Sequence, residues 1–368
     1  MDEVEALGLI KIDVLGLATK TAIAMCVKMV KERYGIDIHV GKIPLDDPGT
    51  LALINSGRTD GCFQLENPGM KNALKEIGID SFDDLVLTIA MYRPGPKQYI
   101  PEIGRRKKGQ SPIVTLHPEI GRITAKTYGI MVYQEQIMQV FMALADMSPV
   151  DGYKFLKGCA KKKESLIMAY KDKFLSAATK NTTSDIAGRV WNDLEKFAGY
   201  SFNKSHSVSY AYESWVTAYL KAHYPTEFIA ARLSVETLRR DFEMVAKFES
   251  DAISNFGFSF SPIDINTADI CYRIISPKQL MRPLVAKDVG IKAAEAIRAN
   301  QPFPGSDMLL TFTRKLDREV NSKIIEAMFS AGMWPNWSKA PLLDAFDRIK
   351  ADLKKMRGRP TGDLFEDD

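Results

Sequence analysis

Tyr200-Ser201-Phe202-Asn203-Lys204-Ser205-His206-Ser207 runs straight into Val208 to His223, and this passage decides the fold class. Val208 to His223 reads as a helix that stops at Tyr224-Pro225, because proline pushes the residue before it out of the helical region. The same texture extends upstream and downstream. From about residue 47 to 260 the pattern is mostly helical. It is cut at Asn67-Pro68-Gly69, at Arg93-Pro94-Gly95-Pro96 and between Gly109 and Pro118, where proline and glycine favour turns. Nearer the N-terminus, Leu9 to Leu15 reads as a strand, with Ile10, Ile12 and Val14 on one face and Lys11 and Asp13 on the other. Gly16 breaks that alternation. A helix follows from Thr19, with Ile23, Cys26, Val27, Val30 and Tyr34 at helical spacing and Gly35 as its C-terminal cap. Ile36 to Val40 is expected as a short strand. At the other end, Phe258 to Ile265 changes the texture, and a smaller unit reaches about residue 338. The tail is a charged helix from Lys339, then Arg357-Gly358-Arg359-Pro360, then Thr361 to Phe365 and an acidic tip. The fold class expected is mainly α (α+β).

Composition narrows the function classes. The 368 residues are 45% hydrophobic, as in ordinary globular proteins, and two or three domains are expected from the length. No apolar run is long enough to span a bilayer. The acidic start Met1-Asp2-Glu3 is unlike a secretory signal, so a cytoplasmic location is expected. Cys26, Cys62, Cys159 and Cys271 form no C-x-x-C pair, which argues against a structural zinc site and fits a reducing compartment. Fifty basic against 46 acidic residues give a formal net charge of +4. The basic runs Arg105 to Lys108, Lys161 to Lys163 and Lys354 to Arg359 are either solvated surface or phosphate contacts. No Walker A loop, H-E-x-x-H or G-x-S-x-G motif is present, and His39, His117, His206 and His223 lack metal-ligand spacing.

Several polar residues sit in apolar surroundings. Asp13 in mid-strand is costly unless it is paired. Lys11, a distant arginine or magnesium would each serve. Phe63-Gln64-Leu65-Glu66 forms one cluster and Tyr133-Gln134-Glu135-Gln136 another. In the opening passage, Ser205 or Ser207 is expected to cap the Val208 helix. The alternative for that passage is a phosphate site. Lys204, His206 and the free helix N–H groups would then face an anion, with Tyr200, Phe202, Tyr210 and Tyr212 supplying rings for base stacking.

These words, taken in order, resemble the bacterial DNA polymerase III alpha subunit family, the C-family replicative polymerases. The resemblance begins at Leu9-Ile10-Lys11-Ile12-Asp13-Val14-Leu15-Gly16-Leu17. It continues through Ile43 to Asp47, Phe63 to Glu66, Gly69 to Lys71, Arg93 to Pro96, Tyr128 to Ile130, Tyr133 to Gln136, Lys161 to Lys163, Lys196 to Ser207, Lys221 to Pro225 and Glu227-Phe228. It covers about residues 2 to 335. It implies a remnant of a polymerase-beta-like palm over 1–19, a large helical fingers domain over 20–262 and a helix-hairpin-helix DNA-binding region over 263–338. The charged tail, 339–368, follows. It also implies that Asp13 is the third metal-binding and catalytic aspartate of a two-magnesium polymerase site. Lys11, Arg93, Lys157, Lys161, Lys162, Asn203, Lys204, Ser205 and His206 would bind the incoming dNTP. Gln64, Glu66, Gln134, Glu135 and Gln136 would form a polar cluster near it. Lys287, Val289, Gly290, Ile291 and Lys292 would meet template–primer DNA. For that segment, an ordinary helix pair is the alternative.

Three departures qualify the resemblance. The 368 residues hold no P-D-x-D-x-D-F segment, and Asp80, Asp83 and Asp84 do not replace it. A partner chain carrying PHP, thumb and remaining palm is therefore expected to share the two Mg2+ ions, either through a split gene, as in some phages, or because the sequence is a cut fragment. Leu156-Lys157-Gly158-Cys159-Ala160 stands where the family usually has two arginines. Lysine does not reproduce a guanidinium's bidentate phosphate grip, so the reconstituted enzyme is expected to show a raised dNTP KM. A family-typical KM would count against this reading. The C-terminal OB-type domain is also absent from these residues. Asp363-Leu364-Phe365 resembles the end of a sliding-clamp peptide, with Thr361 where glutamine is preferred. A simple chain end is the alternative. The competing function is a non-catalytic DNA-binding accessory protein derived from polymerase fingers. No membrane partner is expected.

Overall fold

A computed structural model describes residues 7–9, 16–304 and 307–357. Lys11 and Asp13, with most of the strand expected over Leu9 to Leu15, and Asp363, Leu364 and Phe365 lie outside the described residues. Within them the chain is mostly helical, as expected, beginning with α1 (Ala18–Tyr34) and α2 (Pro48–Ser56). Next come α3 (Pro68–Ile77), α4 (Phe82–Met91), α5 (Ile100–Lys107), α6 (Pro118–Ile123) and α7 (Gln134–Ala145). α8 (Pro149–Ala160), α9 (Glu164–Ala178), α10 (Ser184–Ala198) and α11 (Lys204–His223) follow. The later part holds α12 (Pro225–Arg239), α13 (Phe242–Phe256), β1 (Ser259–Ser261), β2 (Arg273–Ser276) and β3 (Gln279–Met281). It continues with α14 (Ile291–Asn300), α15 (Met308–Lys315), α16 (Ser322–Ser330) and α17 (Lys339–Arg357). Among the described residues no helix is long and apolar enough to cross a membrane.

Contacts divide the chain into two compact units. One spans residues 39–223; the other joins the described residues before 39 to those after 223. In the first unit, punctuation legible in the sequence starts the helices. Asp47, Asn67, Ser81, Ser148 and Thr183 each accept a first-turn N–H of α2, α3, α4, α8 and α10 respectively, satisfying donors that a helix N-terminus otherwise leaves open. Prolines occupy the first turns of α2, α3 and α8, where their missing N–H costs nothing. α11 packs on α4 and α2. Helices α7 to α10 enclose a separate core in which Trp191, fully buried, lies 5.1 Å from Phe155, 5.7 Å from Phe174 and 6.3 Å from Phe141 between ring centroids.

The basic run Arg105 to Lys108 at the end of α5 serves this fold. Arg105 and Arg106 both bond Glu102, whose carboxyl is held down at about 2 by hydrogen bonds from Arg105, Ser111 and Arg106. Lys107 is nearly buried and pairs with Asp84 at 2.8 Å and Asp80 at 3.0 Å while bonding the Gly78 carbonyl. Lys108 donates to the Glu76 carbonyl. Lys161 to Lys163, by contrast, are exposed between α8 and α9.

In the second unit α1 lies along α12. The buried Glu227 carboxylate of α12 accepts from Arg33 at 2.8 Å and Tyr34 at 3.1 Å, so its burial is compensated. Ile36 to Val40, expected as a strand, is none. It carries no ladder, and Val40 opens a single 3-10 turn instead. A lone extended segment without a neighbour has nothing to bond its backbone to. The observed sheet has the order β1-β3-β2, with β1 parallel and β2 antiparallel to β3. In the 283–298 segment a tight turn precedes α14. Ala286 and Val289 exchange backbone hydrogen bonds of 3.0 and 3.3 Å across Lys287 and Asp288, the latter at φ 66. Val289 is wholly buried and anchors the turn, and Gly290 is the N-cap of α14. Residues 286–300 thus hold one tight turn, centred on Lys287 and Asp288, and one helix.

Candidate functional site

A single parallel bridge links Tyr133 to Phe202. The Phe202 N–H donates to the Val132 carbonyl at 2.9 Å, and the Gln134 N–H donates to the Phe202 carbonyl at 3.0 Å. Each chain then turns at once into a helix, α7 from Gln134 and α11 from Lys204. Two helix N-termini therefore begin side by side. Their open N–H groups and the positive ends of their dipoles adjoin.

The side chains around this point divide the work. Gln136 is buried and fully used. Its amide oxygen accepts from the Val132 and Tyr133 N–H groups at 2.8 and 2.9 Å, and its nitrogen donates to Thr127 Oγ1 at 2.8 Å. It shapes the entry to α7 from within. Asn203 caps α11, accepting the His206 N–H at 2.9 Å. The sequence reading gave this role to Ser205 or Ser207. In the structure α11 starts four residues earlier than Val208, Ser205 is exposed in its first turn, and Ser207 is buried with its hydroxyl unpartnered. Glu135 reaches across from α7, and both of its carboxylate oxygens lie 3.1 Å from the Lys204 N–H.

Cations and rings lie along the bridge. The Arg93 guanidinium stacks on Phe202, 3.3 Å from the ring centroid, and Lys204 Nζ lies 5.6 Å from the Tyr133 ring centre. Burial pushes the Arg93 pKa down, although the nearby Tyr210 opposes this. Burial pushes the Tyr133 phenol up, with Asp83 and Glu135 adding to it, so that ring stays neutral. Phe202, His206, Tyr210 and Phe63 continue as a chain of ring contacts at 5.3, 4.2 and 5.3 Å. Phe202 is thus covered on one face by Arg93 and at its edge by His206. Tyr200 keeps half its surface exposed and packs against Gly95, where an added Cβ would come within 2.5 Å of the ring. Gly95 sits at φ 96, so glycine serves both the turn and the close approach.

The structure brings Arg93, Gln134, Glu135, Gln136, Asn203, Lys204, Ser205 and His206 to one place. The Gln64 and Glu66 loop attaches further along α11, where the Phe63 N–H donates to Thr217 Oγ1 at 3.0 Å and Lys221 Nζ donates to the Asp60 carbonyl at 2.7 Å. Within that loop Glu66 accepts the Gly61 N–H, while Gln64 is exposed at φ 62. Thr217 escaped the sequence reading, and Lys221 entered it only within the Lys221 to Pro225 segment, with no role given. Their signal was the helical stride they share with His206 and Tyr210 along α11. Lys157, Lys161 and Lys162 are exposed at the end of α8, with Lys157 over Tyr153 at 5.4 Å, and no contact ties them to the bridge. Lys287, Val289, Gly290, Ile291 and Lys292 belong to the other unit. Among the described residues no group of three or more His, Cys, Asp or Glu side chains is placed to hold a metal ion.

Residues 19–182 match the family described as bacterial DNA polymerase III alpha subunit finger domain. Over 362 residues the chain is 40% identical to the DNA polymerase III subunit alpha of Aquifex aeolicus, covering 97% of this chain and 30% of that protein. It is 37% identical to the same subunit of Thermus aquaticus over 367 residues, covering 97% of this chain and 29% of the relative. The Neisseria meningitidis serogroup B subunit is 37% identical over 377 residues, at 99% and 32% coverage. The chain therefore spans roughly a third of the length of the relatives it matches.

Proposed function

Because this chain belongs to the family of bacterial DNA polymerase III alpha subunits, we propose that it is the finger-bearing part of such a polymerase and that the paired N-termini of α7 and α11 receive the triphosphate of an incoming dNTP. The observation that carries this is the convergence of two helix N-termini with Arg93, Lys204 and His206 at one bridge. Helix N-termini and fixed cations offer an anion both N–H donors and charge without reorganisation. The exposed Tyr200 ring is the surface on which the base would stack. The turn at Lys287 and Asp288, with Gly290, Ile291 and Lys292 at the start of α14, would meet template–primer phosphates. Asp13 would bind Mg2+ together with two carboxylates from outside these residues. One carboxylate does not hold two divalent ions against their hydration and repulsion.

Primer extension with magnesium tests the reading, first with the chain alone and then with a polypeptide supplying a P-D-x-D-x-D-F segment. Synthesis is expected only in the second case. Lys204→Ala and His206→Ala are each expected to raise the dNTP concentration needed by about tenfold, the usual weight of one charge-assisted contact. Synthesis by the chain alone would overturn the shared site. DNA binding without synthesis in either case would instead favour the accessory protein.

A further inference from the structure

The anion site at the bridge is already filled, by the chain itself. Glu135 holds the Lys204 N–H with both carboxylate oxygens at 3.1 Å, the place a phosphate oxygen would take at the first position of α11. A carboxylate fixed there only as a cap would draw in the cations beside it. Neither Lys204 nor Arg93 makes an ion pair among the described residues. Lys204 lies over the Tyr133 ring, and Arg93 lies over Phe202. Two cations of the same cluster are thus held on rings rather than by carboxylates. Among the described residues the N–H groups of Ser205 and Glu135, in the first turns of α11 and α7, are also without a backbone or side-chain acceptor. The site as built accepts more negative charge than Glu135 supplies.

We infer that Glu135 is a placeholder, an internal carboxylate that occupies the polyphosphate position in the free protein and must swing away before a polyphosphate binds. The inference rests on the nucleotide reading of this site and adds its regulation. Its physical content is competition. An incoming phosphate must displace a charge-assisted hydrogen bond and tolerate a like charge nearby, and both terms weaken binding. The reward for that cost is selectivity, since a monovalent anion gains too little from Arg93 and Lys204 to evict Glu135, whereas a polyphosphate gains from both.

Titration calorimetry of the full chain with inorganic tripolyphosphate tests this, with thermal unfolding to check each variant. Glu135→Gln keeps an oxygen to accept the Lys204 N–H and removes the charge. It is expected to bind tripolyphosphate about tenfold more tightly than the parent, and adding Lys204→Ala to it should reverse the gain. Glu135→Asp, one methylene short of the Lys204 N–H, should also gain affinity, and it serves if the glutamine variant does not fold. If Glu135→Gln binds no better than the parent while Lys204→Ala binds worse, the nucleotide site stands and the placeholder falls. If folded parent and folded Glu135→Gln both fail to bind, the nucleotide reading falls and this inference with it.

Discussion

Trp191→Ala is expected to cost the 39–223 unit about 4 kcal/mol of stability, the upper range for deleting a buried aromatic. The indole is wholly buried and touches Phe141, Phe155 and Phe174 at centroid separations between 5.1 and 6.3 Å, while Phe141 also lies 4.9 Å from Phe155. No single helix supplies this cluster. Phe141 comes from α7, Phe155 from α8, Phe174 from α9 and Trp191 from α10. Removing its centre leaves a cavity that four helices must collapse together to fill, which is the circumstance that makes such deletions most costly. Its Nε1 also donates to Glu195 at 3.2 Å, a smaller part of the loss. Against a total of about 5–15 kcal/mol for an ordinary domain, the variant should unfold at markedly lower denaturant. Trp191→Phe, which keeps a ring, should lose less. A measured loss under about 1 kcal/mol for the alanine variant would mean that the four rings do not carry the bundle.

The second large effect concerns chemistry. Asp13→Asn is expected to lower DNA synthesis by the assembled polymerase about a thousandfold while leaving DNA binding nearly unchanged. Losing one metal-binding carboxylate removes several kcal/mol of transition-state stabilisation, and about 1.4 kcal/mol corresponds to each tenfold in rate. Primer extension and a gel-shift assay on the same preparation separate the two quantities. Full synthesis by the variant would withdraw Asp13 from the metal site. Loss of DNA binding in parallel would make it a structural residue.

Local punctuation made much of the helical architecture readable. Gly35 and Gly57 close α1 and α2 in the left-handed region, and Tyr224-Pro225 separates α11 from α12, as proline and glycine chemistry dictates. The sequence reading offered Ser205 or Ser207 as the α11 cap, and neither takes that role. Asn203 wins because the bridge to Val132 and Gln134 fixes Phe202 as extended and starts the helix right after it. The run Arg105 to Lys108 was left between solvated surface and phosphate contacts because, besides the local Glu102, its partners lie far away in sequence. Lys107 meets Asp84 across 23 positions and Arg106 meets the Tyr128 carbonyl across 22, and periodicity carries no trace of such pairs. The alternating Ile36 to Val40 promised a strand, but a strand is a property of two segments, and no second one is beside it. At the site, the residue types were legible and their grouping was in part. That Gln136 is spent on backbone and that Glu135 sits on the other helix were matters of tertiary structure.

The bridge between Tyr133 and Phe202 has a kinetic consequence. Glu135 and the Lys204 amide it holds are 69 positions apart in sequence, and nearly all of the chain between them is the α7–α10 bundle. Closing so long a loop is entropically costly until the intervening helices have folded. The corner where α7 and α11 begin should therefore be among the last features of this unit to form during folding. An anion bound there, as proposed, would stabilise by mass action a bundle whose core it never touches.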